Sequence, residues 1–217
     1  MSALIRYIVI AIAIAIAIAV AVPRVARAQM TTDGHRGVCS DCHLRAARVN
    51  YELNTAESIL VFALDAFGFS KTVGTFDEIV GSFVFDPGDA ENASVIVSVD
   101  LRSLEMSDSA LNSLVLSERF LDADNNALMT FQSEAVEPVD ATHLRVDGTV
   151  SLRGIERPMS LAVVLNKLAA HPLTGKQTAG LVVTGLIKRS DFGITLGLPS
   201  VGDQIEFTVY AQGSLLD

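Results

Sequence analysis

An all-β fold, an antiparallel barrel or sandwich, follows from three features of this 217-residue chain. Past Arg48 the apolar residues recur with period two. Turn residues interrupt them at roughly ten- to fifteen-residue intervals, the spacing of many short antiparallel strands. A single segment departs from this pattern and carries a helical period instead.

The elements follow in order. Leu60, Phe62, Leu64 and Ala66 alternate with Val61, Ala63 and Asp65, which predicts a strand. Phe83 and Phe85 lead into the turn Asp86-Pro87-Gly88, and Val95, Val97 and Val99 alternate with Ile96, Ser98 and Asp100. Further strands are expected over Ala127–Val136, His143–Leu152, Met159–Leu168, Gly180–Ile187 and Gln204–Leu215. Turns are expected at Gly74, Gly88, Gly154, Pro172-Leu173-Thr174-Gly175 and Gly202-Asp203. Between Ser107 and Phe120, the residues Ala110, Leu111, Leu114 and Val115 recur at helical spacing, and Ser107 or Asp108 suits an N-cap. Ser58–Phe67 is apolar on both faces. One face then lines the interior, and the other is expected to meet a helix, a loop or a partner such as a second copy of the chain.

Residues 1–28 have the parts of a cleavable export signal: basic Met1–Arg6, sixteen apolar residues from Tyr7 to Val22, and the small-residue site Ala26-Arg27-Ala28. Such a run is short of the roughly 20 residues that cross a bilayer comfortably. The expected protein is periplasmic or secreted, cleaved after Ala28, with an extension over 29–48 and a body over 49–217. Residues 51–217 sum to −13, which excludes broad binding to nucleic acid or anionic lipid. With two cysteines only, the body relies on a hydrophobic core and not on a disulfide framework.

Both cysteines lie in Cys39-Ser40-Asp41-Cys42-His43, the spacing of covalent c-type haem attachment. In that reading Cys39 and Cys42 form the thioethers, His43 ligates the haem iron on the proximal side, and His35 is available as the distal ligand. The stretch resembles single sites of multihaem cytochromes. About twenty residues separate Gln29 from Val49, too few to wrap a porphyrin, so a haem c here would lean on the body, a second subunit or a redox partner. Three other readings stand beside it: a redox dithiol, a zinc or copper site from His35, Cys39, Cys42 and His43, and an idle pair.

A series of short motifs spans the body. Tyr51-Glu52-Leu53, Ser58-x-Leu60-x-Phe62-x-Leu64, Phe67-Gly68-Phe69-Ser70, Gly74-Thr75-Phe76 and Gly81-Ser82-Phe83-Val84-Phe85-Asp86 come first. Val97-x-Val99-Asp100, Phe120-Leu121-Asp122-Ala123, Thr130-Phe131-Gln132-Ser133 and Val146-x-Gly148-x-Val150-Ser151-Leu152-x-Gly154 follow. Arg189-Ser190-Asp191-Phe192-Gly193 and Val201-Gly202-Asp203 close the series. In this order they resemble the YceI-like family, exported lipocalin-like proteins that bind polyisoprenoid lipids. The resemblance implies an eight-stranded antiparallel barrel with one short helix and an apolar channel for an isoprenoid chain. Its lining would be Leu60, Phe62, Leu64, Phe83, Phe85, Val97, Val99, Phe131, Val150 and Leu152, for each of which plain core packing is the alternative.

The chain also departs from that family. Glu57 and Ala66 stand where the first strand usually carries histidines, Arg153 replaces another, and Leu111-Asn112-Ser113 replaces a charged stretch of the helix. The ligand expected is therefore less polar than an isoprenoid phosphate, such as an isoprenoid quinone. No nucleophile elbow, P-loop or H-E-x-x-H motif is present, and the chain is read as a binding protein, not an enzyme. His143 and His171 read as surface histidines, and Asp191 as a residue that orders its loop. The alternative function is c-type electron transfer with the barrel as scaffold, exchanging electrons with a quinone or a membrane cytochrome.

Overall fold

The computed structural model describes residues 49–216, so the expected signal segment, Cys39, Cys42, His43 and His35 lie outside the described residues. Within them are eleven strands, β1 (Asn50–Leu53), β2 (Ile59–Ala66), β3 (Ser70–Phe76), β4 (Ile79–Val84), β5 (Ser94–Asp100), β6 (Leu104–Met106), β7 (Leu128–Pro138), β8 (His143–Leu152), β9 (Ile155–Ala170), β10 (Gln177–Lys188) and β11 (Val201–Leu215). One α-helix, α1 (Ser109–Leu116), accompanies them. Eight strands close an antiparallel barrel in the order β1-β4-β5-β7-β8-β9-β10-β11, with β11 returning to β1. Closure leaves no free edge among those eight.

The first strand is divided. β11 pairs with β1 through Gly213–Leu215 and with β2 through Val201–Tyr210, so β1 and β2 are two halves of one barrel stave. The break is built by Asn54, whose side chain accepts from Ala56 N–H, and by Ser58, whose hydroxyl donates to the Asn54 carbonyl at 2.8 Å. Thr55 Oγ1 donates to the Ile79 carbonyl at 2.9 Å and ties the break to β4. Polar residues with local hydrogen bonding interrupt a strand more cheaply than apolar ones. Beyond the break, β2 is followed by β3 and then β6, which continues β5 after a 3-10 turn at Leu101–Ser103.

Alternation holds where the sequence predicts it. β8 spans the expected His143–Leu152, β9 and β10 run one to four residues past both expected ends, β11 starts three residues early, and β7 is shifted to Leu128–Pro138. Three expectations are corrected. Gly74 is not a turn but an interior residue of β3, and the Phe62 ring lies over its Cα; an added methyl would stand 2.7 Å from Phe62 Cε1. Gly202-Asp203 belongs to β11, where an irregularity between Val201 and Ile205 shifts its register with β2. The helix is shorter than Ser107–Phe120 and ends at Leu116, because Ser117 turns its hydroxyl back onto the Leu114 carbonyl at 2.6 Å.

Asp108 is the helix cap, accepting from Ala110 N–H at 2.8 Å and Leu111 N–H at 3.2 Å. Asp108→Ala is expected to cost about 1 kcal/mol of stability, the usual loss of a capping side chain. A urea midpoint equal to that of the wild type would contradict this.

Candidate functional site: an apolar lumen

The inward residues of the barrel form one layer after another of apolar side chains. Val97 faces Phe131 across β5 and β7, Val146 faces Leu161 across β8 and β9, and Val183 faces Val209 across β10 and β11. They do not fill the space they enclose. An eight-stranded barrel is just wide enough either to be packed solid or to hold one slender ligand. Here a cavity of about 160 Å3 remains. That is room for on the order of ten waters, or a similar number of methylene groups.

Of the ten residues expected to line a channel, Leu60, Phe83, Phe85, Val97, Val99, Phe131 and Val150 border the cavity. Phe62, Leu64 and Leu152 do not. Phe62 tilts against Phe76, with ring centroids 5.6 Å apart, and Leu64 and Leu152 are buried without bordering it. About half of the remaining wall comes from β9, β10 and β11, through Met159, Leu161, Val163, Leu165, Leu181, Val183, Ile187, Phe207, Val209 and Ala211. Sequence reasoning placed these in strands without assigning them to the lumen. The signal was there, in Met159-x-Leu161-x-Val163-x-Leu165 and in Phe207-x-Val209-x-Ala211.

Among the described residues, Ser94 and Thr130 are the polar ones of the wall, and no titratable side chain borders it. Ser94, at the start of β5, is the exposed residue of this lining. The wall stays open because phenylalanines lie flat on glycines. A methyl added at Gly185 would stand 2.8 Å from Phe207 Cε1 and 2.7 Å from Leu161 Cδ2. One added at Gly148 would meet Phe131 Cζ at 2.8 Å, and at Gly213 Phe83 Cζ at 2.8 Å. Each glycine lets a ring rest on the sheet instead of projecting into the lumen. Tyr51 stacks on Phe83 with centroids 4.9 Å apart, and burial raises its phenol pKa above the usual value.

At the far end the lumen is stoppered. Arg189 is fully buried and donates to the carbonyls of Gly202, Ile194, Leu196 and Val201 at 2.7, 3.1, 2.8 and 2.9 Å. Its guanidinium also lies 5.5 Å from the centre of the Phe120 ring. Asp203 accepts from the Ser190 N–H at 2.9 Å and from the Ser190 hydroxyl at 2.8 Å. Those bonds, helped by the Arg189 and Lys188 charges, hold its carboxyl below the ordinary carboxylate range. The loop-ordering role expected of Asp191 therefore falls to Arg189 and Asp203, while Asp191 is exposed.

A carboxyl with a lowered folded-state pKa contributes stability that is present above its unfolded pKa and lost as pH falls through the folded one. Asp203→Asn should therefore melt lower than the wild type at neutral pH, with the gap closing in acid. A gap constant with pH, in thermal melts, would refute this. The His143 Nδ1 lies 2.9 Å from the Asp140 carboxylate at an exposed turn, and His171 accepts from the Leu173 N–H at 3.3 Å in another. Neither borders the cavity.

The YceI-like domain model matches residues 51–212. The chain belongs to the YceI-like family. A UPF0312 protein of Vibrio cholerae is 30% identical over 151 residues, covering 69% of this chain and 79% of the relative. Burkholderia cenocepacia BcnA has the same fold, with a TM-score of 0.67 at 22% identity, covering 74% of this chain and 98% of that one. A polyisoprenoid binding domain of Saccharophagus degradans, implicated in plant cell wall breakdown, superposes with a TM-score of 0.53 at 16% identity, covering 76% and 98%. YceI-like barrels share the antiparallel barrel architecture. Glu57 lies in the break between β1 and β2, hydrogen-bonded to Gln212, and Arg153 lies in the β8–β9 turn with its Nη2 donating to the Glu118 carbonyl at 3.3 Å.

Proposed function

We propose that this YceI-like barrel is an exported carrier for one isoprenoid-type chain, either a polyprenyl chain or the tail of an isoprenoid quinone. The observation that carries this is a lumen bordered almost wholly by apolar side chains, with no titratable group among the described residues that line it. Such a wall recognises hydrocarbon and rejects charge, because an unpaired ion inside it would lose its hydration without compensation. The Saccharophagus domain's polyisoprenoid binding supports the same class of ligand. The lumen takes about ten carbons, so a longer chain extends out past Ser94 and its polar end stays outside.

Each isoprene unit moved out of water gains on the order of 3 kcal/mol, and a bilayer offers nearly the same. A protein of this kind exchanges lipid with membranes; it does not hold it irreversibly, and no catalytic step is needed. Lipid extraction of the purified protein followed by mass spectrometry is expected to return prenyl chains. Recovery of none, or of straight-chain lipids only, would overturn the proposal.

The N-terminal extension supports a second component. Cys39 and Cys42 would hold haem c covalently, with His43 and then His35 as axial ligands, and haem would supply one-electron transfer. Only residues 44–48 separate His43 from Val49, where the barrel begins. A quinone carried by the same chain, or a membrane cytochrome, is the matching redox partner. Expression in a host with active c-type maturation should give a reduced haem α-band; a colourless protein would leave the carrier alone.

A further inference from the structure

At the barrel end away from Ser94, the turn between β2 and β3 holds two aromatic rings in water. Phe69 is 94% exposed and Phe67 65%. Phe67 adopts a φ of +59°, a conformation that bulky residues avoid. Asp65 accepts from Gly68 N–H at 2.8 Å and fixes the turn. The Phe67 N–H donates to the Ser200 carbonyl at 2.8 Å, which joins this turn to the loop before β11.

Neither segment carries charge: residues 66–70 read Ala-Phe-Gly-Phe-Ser, and 194–202 read Ile-Thr-Leu-Gly-Leu-Pro-Ser-Val-Gly. The cation nearby, Arg189, is turned inward onto carbonyls of the second segment. Charges begin just behind the tip, at Asp65 and at the Lys71–Glu206 ion pair.

We infer that this tip docks on the surface of a zwitterionic lipid bilayer. The two rings offer roughly 150–250 Å2 each, and their sum falls short of the roughly 800 Å2 per partner of a stable protein interface. A bilayer needs no matching surface, and aromatic rings favour its interfacial zone. A body charge of −13 is repelled by anionic headgroups, which leaves a neutral surface as the occupant. The inference does not depend on which chain fills the lumen.

The chain has no tryptophan, so Phe69→Trp gives a single fluorescent reporter in the full-length protein. Phosphatidylcholine vesicles with brominated acyl chains should shift its emission to the blue and quench it. Leu173→Trp, at an 89% exposed position in the β9–β10 turn at the opposite end, should do neither. The double variant Phe67→Ser/Phe69→Ser should bind these vesicles more weakly by about tenfold per ring, with an unchanged melting temperature. Binding of the wild type should fall as phosphatidylserine replaces phosphatidylcholine. A signal from Leu173→Trp without one from Phe69→Trp would overturn the inference. So would undiminished binding of the serine variant, binding that rises with anionic lipid, or a Phe69→Trp shift on raising protein concentration without vesicles, which would mark self-association.

Discussion

Arg189→Met is expected to destabilise the protein by about 3–5 kcal/mol, the loss typical of removing the charged partner from a buried network. Methionine keeps the length and the packing against Phe120 but donates nothing. Four carbonyls, of Ile194, Leu196, Val201 and Gly202, then lose their partner, the first in a buried and the others in a part-buried setting. Each buried acceptor left unmade costs about 1–3 kcal/mol, and partial rearrangement recovers some of it. Burial lowers the pKa of the guanidinium, yet it stays charged, because arginine lies so far above neutral pH. Arg189→Lys should fall between the two, since an ammonium has three donors and no planar fork with which to reach four carbonyls. Urea unfolding of the three proteins checks this. A loss below about 1 kcal/mol for Arg189→Met would mean that the loop from Ile194 to Gly202 is held by something other than Arg189.

That loop also shows where reading the chain alone reached its limit. The strands were legible because alternation is a one-dimensional signal: His143–Leu152 shows a regular in-out pattern and folds as one stave. The motif Arg189-Ser190-Asp191-Phe192-Gly193 was visible too, but which of its charges turned inward was not, since Arg189 finds its acceptors five to thirteen residues later. Glycines misled for a related reason. Gly74 and Gly202 look like turn residues locally, and their purpose is a contact across the sheet: Gly74 lies under the Phe62 ring, and Gly202 lies against Asp65 on β2. The lumen itself was the least legible feature. Period-two alternation says which residues point inward, and it is silent on whether they meet. That depends on pairs such as Gly148 with Phe131, brought together only when β7 and β8 align.

Those glycine–phenylalanine pairs yield the second large effect, and two of them should behave oppositely. At Gly148 a methyl group would collide with backbone, 2.8 Å from Ser133 Cα and nearer still to the Gln132 carbonyl oxygen. Backbone within a paired strand cannot withdraw, so Gly148→Ala should force β7 and β8 apart and cost about 3 kcal/mol, the upper range for overpacking. At Gly185 the obstructing atoms are side chains, the Phe207 ring and Leu161 Cδ2, and both border the cavity. They have empty space to move into. Gly185→Ala should therefore leave stability within about 1 kcal/mol, because removing a strand glycine offsets part of the crowding. What it should lose is the lumen: Phe207 and Leu161, swung inward, occupy the path of a chain, and lipid recovered by extraction should drop at least tenfold. Gly185→Ala/Phe207→Leu restores the space and should restore the lipid. If Gly148→Ala folds as stably as the wild type, the close approach of β7 and β8 is not what that glycine serves. If Gly185→Ala keeps its full lipid content, the width of the lumen is not set by the ring lying on that glycine.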